Sequence, residues 1–211
     1  MGATCSVNTH TNGHLVYAER SFDLKVVGAS YGRGGSGATV TYVMSTSEIG
    51  LMLIASTTYG VCWLGIHQSG AYLESELRRD FPKADVVRDK AEVCRITRGM
   101  AAFISRTCPT LDVPLDIRAS PFQVAVWREL CAIPLGETRS YGEIARRLGL
   151  PGGARAVGRA NGSNPLAVLI PCHRAIGADG KLTGYRWGIE YKRRLLEYER
   201  SLVNLRSSHH Q

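Results

Sequence analysis

The pattern of apolar and polar positions divides the chain into a strand-rich first part and a helix-rich second part. In the first part, apolar and β-branched runs separated by glycine turns predict strands over residues 39–45, 51–56 and 60–66. Apolar residues at helical spacing then predict helices over residues 71–80 and 89–105. Strands followed by helices indicate a small α/β domain, which we place at residues 39–116.

The second part has the periodicity of short helices. An apolar stripe predicts a helix over residues 120–132, and Ser140 with Glu143 forms a capping box that opens another helix over 141–148. A Gly/Pro turn leads into a small-residue helix over 152–160, and a last helix is predicted over 190–200. Two short helices around a tight turn are typical of a helix-turn-helix, so we predict a mostly α domain of this type over residues 117–200, followed by a tail over 201–211.

Residues 1–38 show no clear period, and we leave them unassigned. Residues 28–37 are rich in glycine and predict a flexible linker. Gly32, Gly34 and Gly37 have the spacing of a dinucleotide fingerprint, but that motif must open a helix and here a predicted strand follows. We therefore exclude nucleotide binding by this segment.

Charge separates the two parts as clearly as periodicity does. Residues 118–211 carry 15 Lys and Arg against 7 Asp and Glu, whereas residues 1–117 carry 11 of each. The basic half favours a polyanionic partner such as nucleic acid, with a solvated cationic surface as the alternative. Arg155 and Arg159 lie four residues apart, hence on one face of the small-residue helix, which a helix packed inside a core would not explain.

The six cysteines show no CxxC spacing, and the sequence has no signal peptide or transmembrane stretch. We therefore expect reduced thiols and a cytoplasmic protein, associated with the nucleoid in a bacterium or nuclear in a eukaryote. No set of residues has ligand spacing, so we predict no metal.

Cys172 is the strongest candidate for chemistry. The apolar run over residues 166–170 predicts a buried strand, which Pro171 ends immediately before the thiol. His173 and Arg174 follow, and a neighbouring imidazole can activate a thiol as a nucleophile. The Cys-His dipeptide alone leaves a structural cysteine beside a surface histidine as an open alternative.

The wider motif narrows these alternatives. Asn164-Pro165, Ile170 to Arg174, Gly184 to Gly188, Lys192 and Glu199 together resemble the O6-alkylguanine-DNA alkyltransferase family, with the closest likeness to the C-terminal half of a longer bacterial member. The likeness runs from about Thr39 to Glu199. It implies an RNase H-like α/β domain followed by a winged helix-turn-helix-like domain. Residues 1–38 match no module of that family.

The resemblance also implies roles for individual residues. Cys172 would accept the alkyl group, His173 would act as its base through a water, Glu199 would orient His173, and Tyr141 would donate toward the leaving base. For Glu199 alone, the sequence would favour a solvated helix carboxylate. The implied DNA-binding residues are Arg155, which fills the place of the extruded base, with Ala156, Arg159, Tyr141 and Ser140. The residues implied to line or support the base pocket are Asn164, Pro165, Tyr185, Arg186, Trp187 and Lys192.

The implied activity is DNA repair by methylated-DNA–protein-cysteine S-methyltransferase chemistry. One protein molecule would take one alkyl group irreversibly from O6-alkylguanine, or O4-alkylthymine, in double-stranded DNA. It would act as a monomer without a cofactor. The alternatives are a catalytically silent lesion-binding relative, which would lack Cys172, a winged-helix regulator with an incidental thiol, and a papain-like hydrolase, which needs its cysteine upstream of a distant histidine.

Overall fold

The computed structural model describes residues 29–88 and 114–208, with side chains up to residue 204. The helix predicted over residues 89–105, most of the unassigned segment 1–38 and the end of the tail lie outside the described residues. Within the described residues, no helix combines the length and apolar character that crossing a membrane requires.

The first part is built on a four-stranded mixed sheet. Its strands are β1 (Thr39–Thr46), β2 (Leu51–Ser56), β3 (Val61–His67) and β4 (Asp85–Arg88). Their order is β3-β2-β1-β4, with β1, β2 and β3 antiparallel and β4 parallel to β1. The three predicted strands are confirmed. β4 is too short for a sequence signal, because Val86 is its one buried residue.

Helix α1 (Gly70–Asp80) packs on this sheet through Leu73 and Leu77, which are both fully buried. It begins where Ser69 accepts a hydrogen bond from the amide of Tyr72, the usual N-cap contact. The helix predicted over residues 71–80 is therefore confirmed to within one residue.

The second part is mostly helical, as predicted. Its helices are α2 (Pro121–Cys131), α3 (Tyr141–Arg147), α4 (Ala154–Gly162) and α5 (Ile189–Ser208). Two-residue strands β5 (Arg139–Ser140) and β6 (Ala175–Ile176) pair in parallel. The capping box of Ser140 and Glu143 is present, and α3 packs directly against α4 across a tight turn, which confirms the helix-turn-helix.

Three sequence expectations differ from the structure. Helix α5 does not end at residue 200 but continues to Ser208, so most of the predicted tail over residues 201–211 is helical. The described part of the predicted flexible linker, residues 29–37, packs against the rest of the fold: Ser30 donates two hydrogen bonds to the buried carboxylate of Asp116, and Tyr31 packs edge-on against Phe81. Residues 166–170 are buried but form tight turns, with a single bridge at Leu166, and not a strand. A short apolar run signals burial without specifying the backbone conformation.

The two parts share one apolar core, and β3 joins them. The amide of Leu64 donates to the carbonyl of Pro165 at 2.8 Å, and the amide of Ala167 donates to the carbonyl of Leu64 at 2.9 Å. An edge strand of the first part thereby holds the turns that lead to Cys172. The α/β part is thus a structural support for the segment that carries the candidate nucleophile.

Candidate active site and nucleic-acid interface

Cys172 begins a single 3-10 turn, Cys172–Arg174, and is 6 % exposed. It lies at a cavity of about 420 Å³ that opens between α4 and the loop before α5. The cavity is lined by Tyr141, Gly158, Asn161, Gly162, Asn164, Cys172, Thr183, Gly184, Tyr185, Arg186 and Trp187. Five of the residues predicted from sequence therefore line one cavity with Cys172: Tyr141, Asn164, Tyr185, Arg186 and Trp187.

Asn164 holds the thiol and the preceding turns together. Its side-chain amide donates to Cys172 Sγ at 3.1 Å and to the carbonyl of Ile170 at 2.9 Å, and its Oδ1 accepts from the amide of Leu166 at 2.9 Å. Because Asn164 is 3 % exposed, these bonds form away from water, where they are strongest. Asn164 thus links the thiol to the turns before it, while its role in supporting a base pocket stays a prediction. Pro165 contributes its backbone carbonyl to β3 as described above.

His173 is fully buried and contacts Glu199 from the distant helix α5. His173 Nε2 lies 2.9 Å from Glu199 Oε1, so the chain does fold back to bring the two together. Arg174 holds the same carboxylate with its Nε at 3.0 Å from Oε2 and its terminal nitrogen at 2.8 Å from Oε1. Within the described residues, His173 Nδ1 makes no hydrogen bond to a protein atom. That nitrogen is free to accept a proton.

Burial dominates the ionisation of the two central groups. It raises the pKa of the Cys172 thiol, and the hydrogen bond from Asn164 and the charge of Lys192 oppose it without reversing it. Burial also lowers the pKa of His173, against the stabilising effect of Glu199. The resting pair is therefore a neutral thiol beside a neutral imidazole, so the thiol needs a base at the moment of reaction.

Lys192 is a buried ammonium at the side of the cavity. It donates to the carbonyls of Ala175 at 2.6 Å and Thr183 at 2.8 Å, and its Nζ lies 3.5 Å from the hydroxyl of Tyr141. Burial lowers the pKa of Lys192 to about 8, although the charge of Cys172 opposes this shift. Lys192 thus connects the helix-turn-helix to the loop over the cavity and places a positive charge near the thiol.

The cavity wall opposite α4 is an aromatic and cationic loop. Tyr185 contributes a buried hydroxyl beside Cys172, and burial, followed by the charge and hydrogen bonding of Cys172, raises the pKa of Tyr185 well above the ordinary value. Trp187 is 4 % exposed and packs edge-on against Trp63 of β3, with ring centroids 5.2 Å apart. Trp187 is also one of the residues that line the cavity.

Helix α4 presents small residues and arginines on one side. Gly158 and Gly162 line the cavity, and a Cβ built on either meets no atom within 4 Å. Arg155 precedes Gly158 by three residues and so lies on the same face of the helix, and both Arg155 and Arg159 are exposed. Ala156 lies on the same helix. Ser140 makes no described hydrogen bond to any of these residues. Its hydroxyl is engaged in the cap of α3.

Sequence reasoning missed several contributors. The sequence marks Arg174 only as a residue that follows Cys172 in the motif, and its bonds to Glu199 could not be found without the fold. Gly158 and Gly162 did have a signal, since small residues four apart on a helix favour close approach. Within the described ranges, no group of three or more His, Cys, Asp or Glu is arranged to hold a metal ion.

Comparison with known proteins identifies the family of the chain. Residues 121–201 match the family described as 6-O-methylguanine DNA methyltransferase, DNA binding domain. The chain is 37 % identical over 183 residues to the bifunctional transcriptional activator/DNA repair enzyme Ada of Escherichia coli, covering 87 % of this chain and 52 % of Ada. It therefore spans about half of that relative's length.

Shorter relatives are matched over nearly their whole length. The methylated-DNA–protein-cysteine methyltransferase of Methanosarcina barkeri is 41 % identical over 165 residues, which cover 78 % of this chain and 99 % of that protein. The crystal structure of Mycobacterium tuberculosis OGT in complex with DNA is 41 % identical, with a TM-score of 0.61, and covers 76 % of this chain and 93 % of that one. The chain belongs to the methylated-DNA–protein-cysteine methyltransferase family.

Proposed function

We propose that this protein repairs DNA by moving the alkyl group of O6-alkylguanine, and of O4-alkylthymine, onto Cys172. The observation that carries the proposal is the arrangement of Cys172, His173 and Glu199 beside a cavity bounded by a helix-turn-helix. A buried thiol next to a hydrogen-bonded His–carboxylate pair is the arrangement of an activated nucleophile. A silent lesion-binding protein would need neither the thiol nor its base.

In the proposed reaction, the thiol proton passes through one water to Nδ1 of His173. Glu199 stabilises the resulting imidazolium from Nε2. The sulfur forms a bond to the alkyl carbon as the bond from that carbon to O6 breaks, and the electron pair stays with the base. The hydroxyl of Tyr141, which lines the cavity, donates to the leaving base. The product is a thioether, which has no route back to the thiol, so each molecule reacts once.

The substrate base must leave the duplex to reach a thiol that is 6 % exposed. We propose that α4 lies against the DNA and that Arg155 fills the gap which the extruded base leaves. The small residues of α4 support a close approach to the duplex, and the exposed arginines supply phosphate contacts. Because these groups all come from one chain, the protein would act as a monomer. It would act in the compartment of the cell that holds the DNA.

The test is incubation with a duplex that carries O6-[methyl-labelled] guanine, followed by peptide mapping. We expect about one label per protein molecule, on the peptide that contains Cys172. Cys172→Ala should abolish the label and keep DNA binding, whereas Cys62→Ala, at a buried thiol of β3, serves as the matched control and should still be labelled. Label elsewhere, sustained turnover, or transfer by Cys172→Ala would refute the proposal.

A further inference from the structure

The loop over the cavity is anchored by the first part of the chain. The guanidinium of Arg186 donates to Asp80 Oδ2 at 2.6 Å, and the indole nitrogen of Trp63 donates to the same oxygen at 2.8 Å. Asp80 is the last residue of α1, 106 positions before Arg186. This carboxylate therefore joins α1, β3 and the cavity loop at one point.

Arg186 in turn contacts Trp187, one of the aromatic residues that line the cavity. Its guanidinium carbon lies 5.0 Å from the ring centroid of Trp187, within the range of a cation–π contact. Trp187 packs against Trp63, and both rings lie close to the backbone of Gly65. A Cβ at Gly65 would lie 2.6 Å from the ring of Trp187, so this packing requires a glycine. A displacement of Arg186 would therefore move Trp187, which lines the cavity.

Asp80 is better placed to hold Arg186 than its neighbour Glu76 is. Glu76 Oε2 lies 3.6 Å from Arg186, compared with 2.6 Å for Asp80, and Glu76 also pairs with Arg79. An acidic residue at the C-terminal end of a helix opposes the helix dipole. Asp80 thus occupies a position that is unfavourable for the helix itself, and Arg186 supplies the compensating charge.

We propose that Asp80 is a positioning residue, which acts through Arg186 to hold the wall of the base pocket. This inference rests on the proposed function. It assigns to the α/β part a specific contribution to lesion binding in addition to support of the core. Because Asp80 contacts neither Cys172 nor His173 in any described hydrogen bond, its loss should weaken capture of the extruded base and leave the displacement step unchanged.

The experiment is single-turnover transfer from a short duplex with one O6-methylguanine, over a series of protein concentrations. It compares the unaltered protein with Asp80→Asn, Asp80→Glu and the control Glu74→Gln, whose carboxylate pairs with Arg78 on the same helix. For Asp80→Asn we expect the half-saturating concentration to rise about tenfold, the scale of a lost charged hydrogen bond, with a limiting rate within twofold of normal. Affinity for undamaged duplex should not change, Asp80→Glu should recover part of the loss, and Glu74→Gln should match the unaltered protein.

A double variant tests whether the effect passes through Arg186. Asp80→Asn should add little to Arg186→Gln, because the second change has already removed the partner. Additive losses in the double variant would overturn the assignment. It would also be overturned if Asp80→Asn lowered the limiting rate in proportion to a lower melting temperature and Asp80→Glu did not restore that rate. If the unaltered protein transfers the methyl group and Asp80→Asn behaves like Glu74→Gln, the role of Asp80 is wrong while the proposed function stands. If the unaltered protein transfers nothing, the proposed function itself fails.

Discussion

Replacing Glu199 with glutamine removes a charge from the centre of the site and keeps the shape of the side chain. Glu199 is 6 % exposed and receives hydrogen bonds from Arg174 and from the amide of Gly136, in addition to its contact with His173. In Glu199→Gln the guanidinium of Arg174, whose side chain is 11 % exposed, loses its counter-ion. A buried charge without a partner is among the costliest defects in a folded protein.

The size of the effect follows from the ionisation of Glu199. Burial would raise its pKa, but the hydrogen bonds of His173 and Arg174 and the charge of Arg174 outweigh burial and lower the pKa from an ordinary value of 4.5 to about 2. A shift of this size corresponds to about 3 kcal/mol of folding free energy at neutral pH. Measured costs of breaking a buried ion pair, about 3–5 kcal/mol, lie in the same range. We therefore expect Glu199→Gln to lose about 3 kcal/mol.

The contribution of Glu199 to the free energy of unfolding depends on pH, and this dependence provides the most specific test. Because the folded-state pKa of Glu199 is lowered, its contribution is complete above pH 4.5 and is lost as the pH falls toward 2. Both proteins also bury a neutral His173, whose lowered pKa costs each of them stability as the pH falls below its ordinary 6.5. The informative quantity is therefore the difference between the two proteins at each pH.

Urea unfolding at a series of pH values from 7 to 3 measures this difference. The matched control is Glu197→Gln, an exposed carboxylate on the same helix, which should change the free energy of unfolding by less than about 0.5 kcal/mol. We expect the deficit of Glu199→Gln to be full at pH 7 and to shrink below pH 4.5. A deficit that does not change with pH, or one no larger than that of Glu197→Gln, would refute this account of Glu199.

Three further outcomes are expected if the proposed function is correct. Arg155→Ala should slow repair in duplex DNA more than reaction with the free alkylated base, by a cost of about 1–3 kcal/mol, whereas equal losses on both substrates would remove Arg155 from base extrusion. Trp187→Gly should raise the ratio of O6-benzyl to O6-methyl single-turnover rates, and an unmoved ratio would make Trp187 a packing residue. Affinity for undamaged duplex should fall steeply with salt and depend little on sequence, and a flat salt response in a titration would contradict phosphate contacts by the basic half.

The parts of the fold that local signals determine could be predicted. Ser140 and Glu143 cap α3 as expected, and the apolar runs of β1 to β3 form strands at the expected positions. Residues 166–170 were correctly expected to be buried but wrongly expected to be a strand. Their backbone is held in turns by the side chain of Asn164, and this competes with the extended form that apolar residues favour.

The site could be predicted only as far as the family motif reaches. The motif named Cys172 and Glu199, and the structure brings the second within 2.9 Å of His173. Nothing in the sequence marks Asp80, because its partner is 106 residues away and a single acidic residue in a helix carries no signal. Long-range ion pairs depend on how elements pack, and no local pattern encodes that packing.

The contact between His173 and Glu199 also has a consequence for biosynthesis. Cys172 leaves the ribosome 27 residues before Glu199, and Lys192 lies on the same late helix. A growing chain therefore exposes its thiol before either the carboxylate or the ammonium of α5 can reach it. During that interval His173 lacks the carboxylate that would orient it. Under the proposed mechanism the thiol would become fully active only when α5 docks, and a chain truncated before residue 199 would carry Cys172 and His173 without that carboxylate.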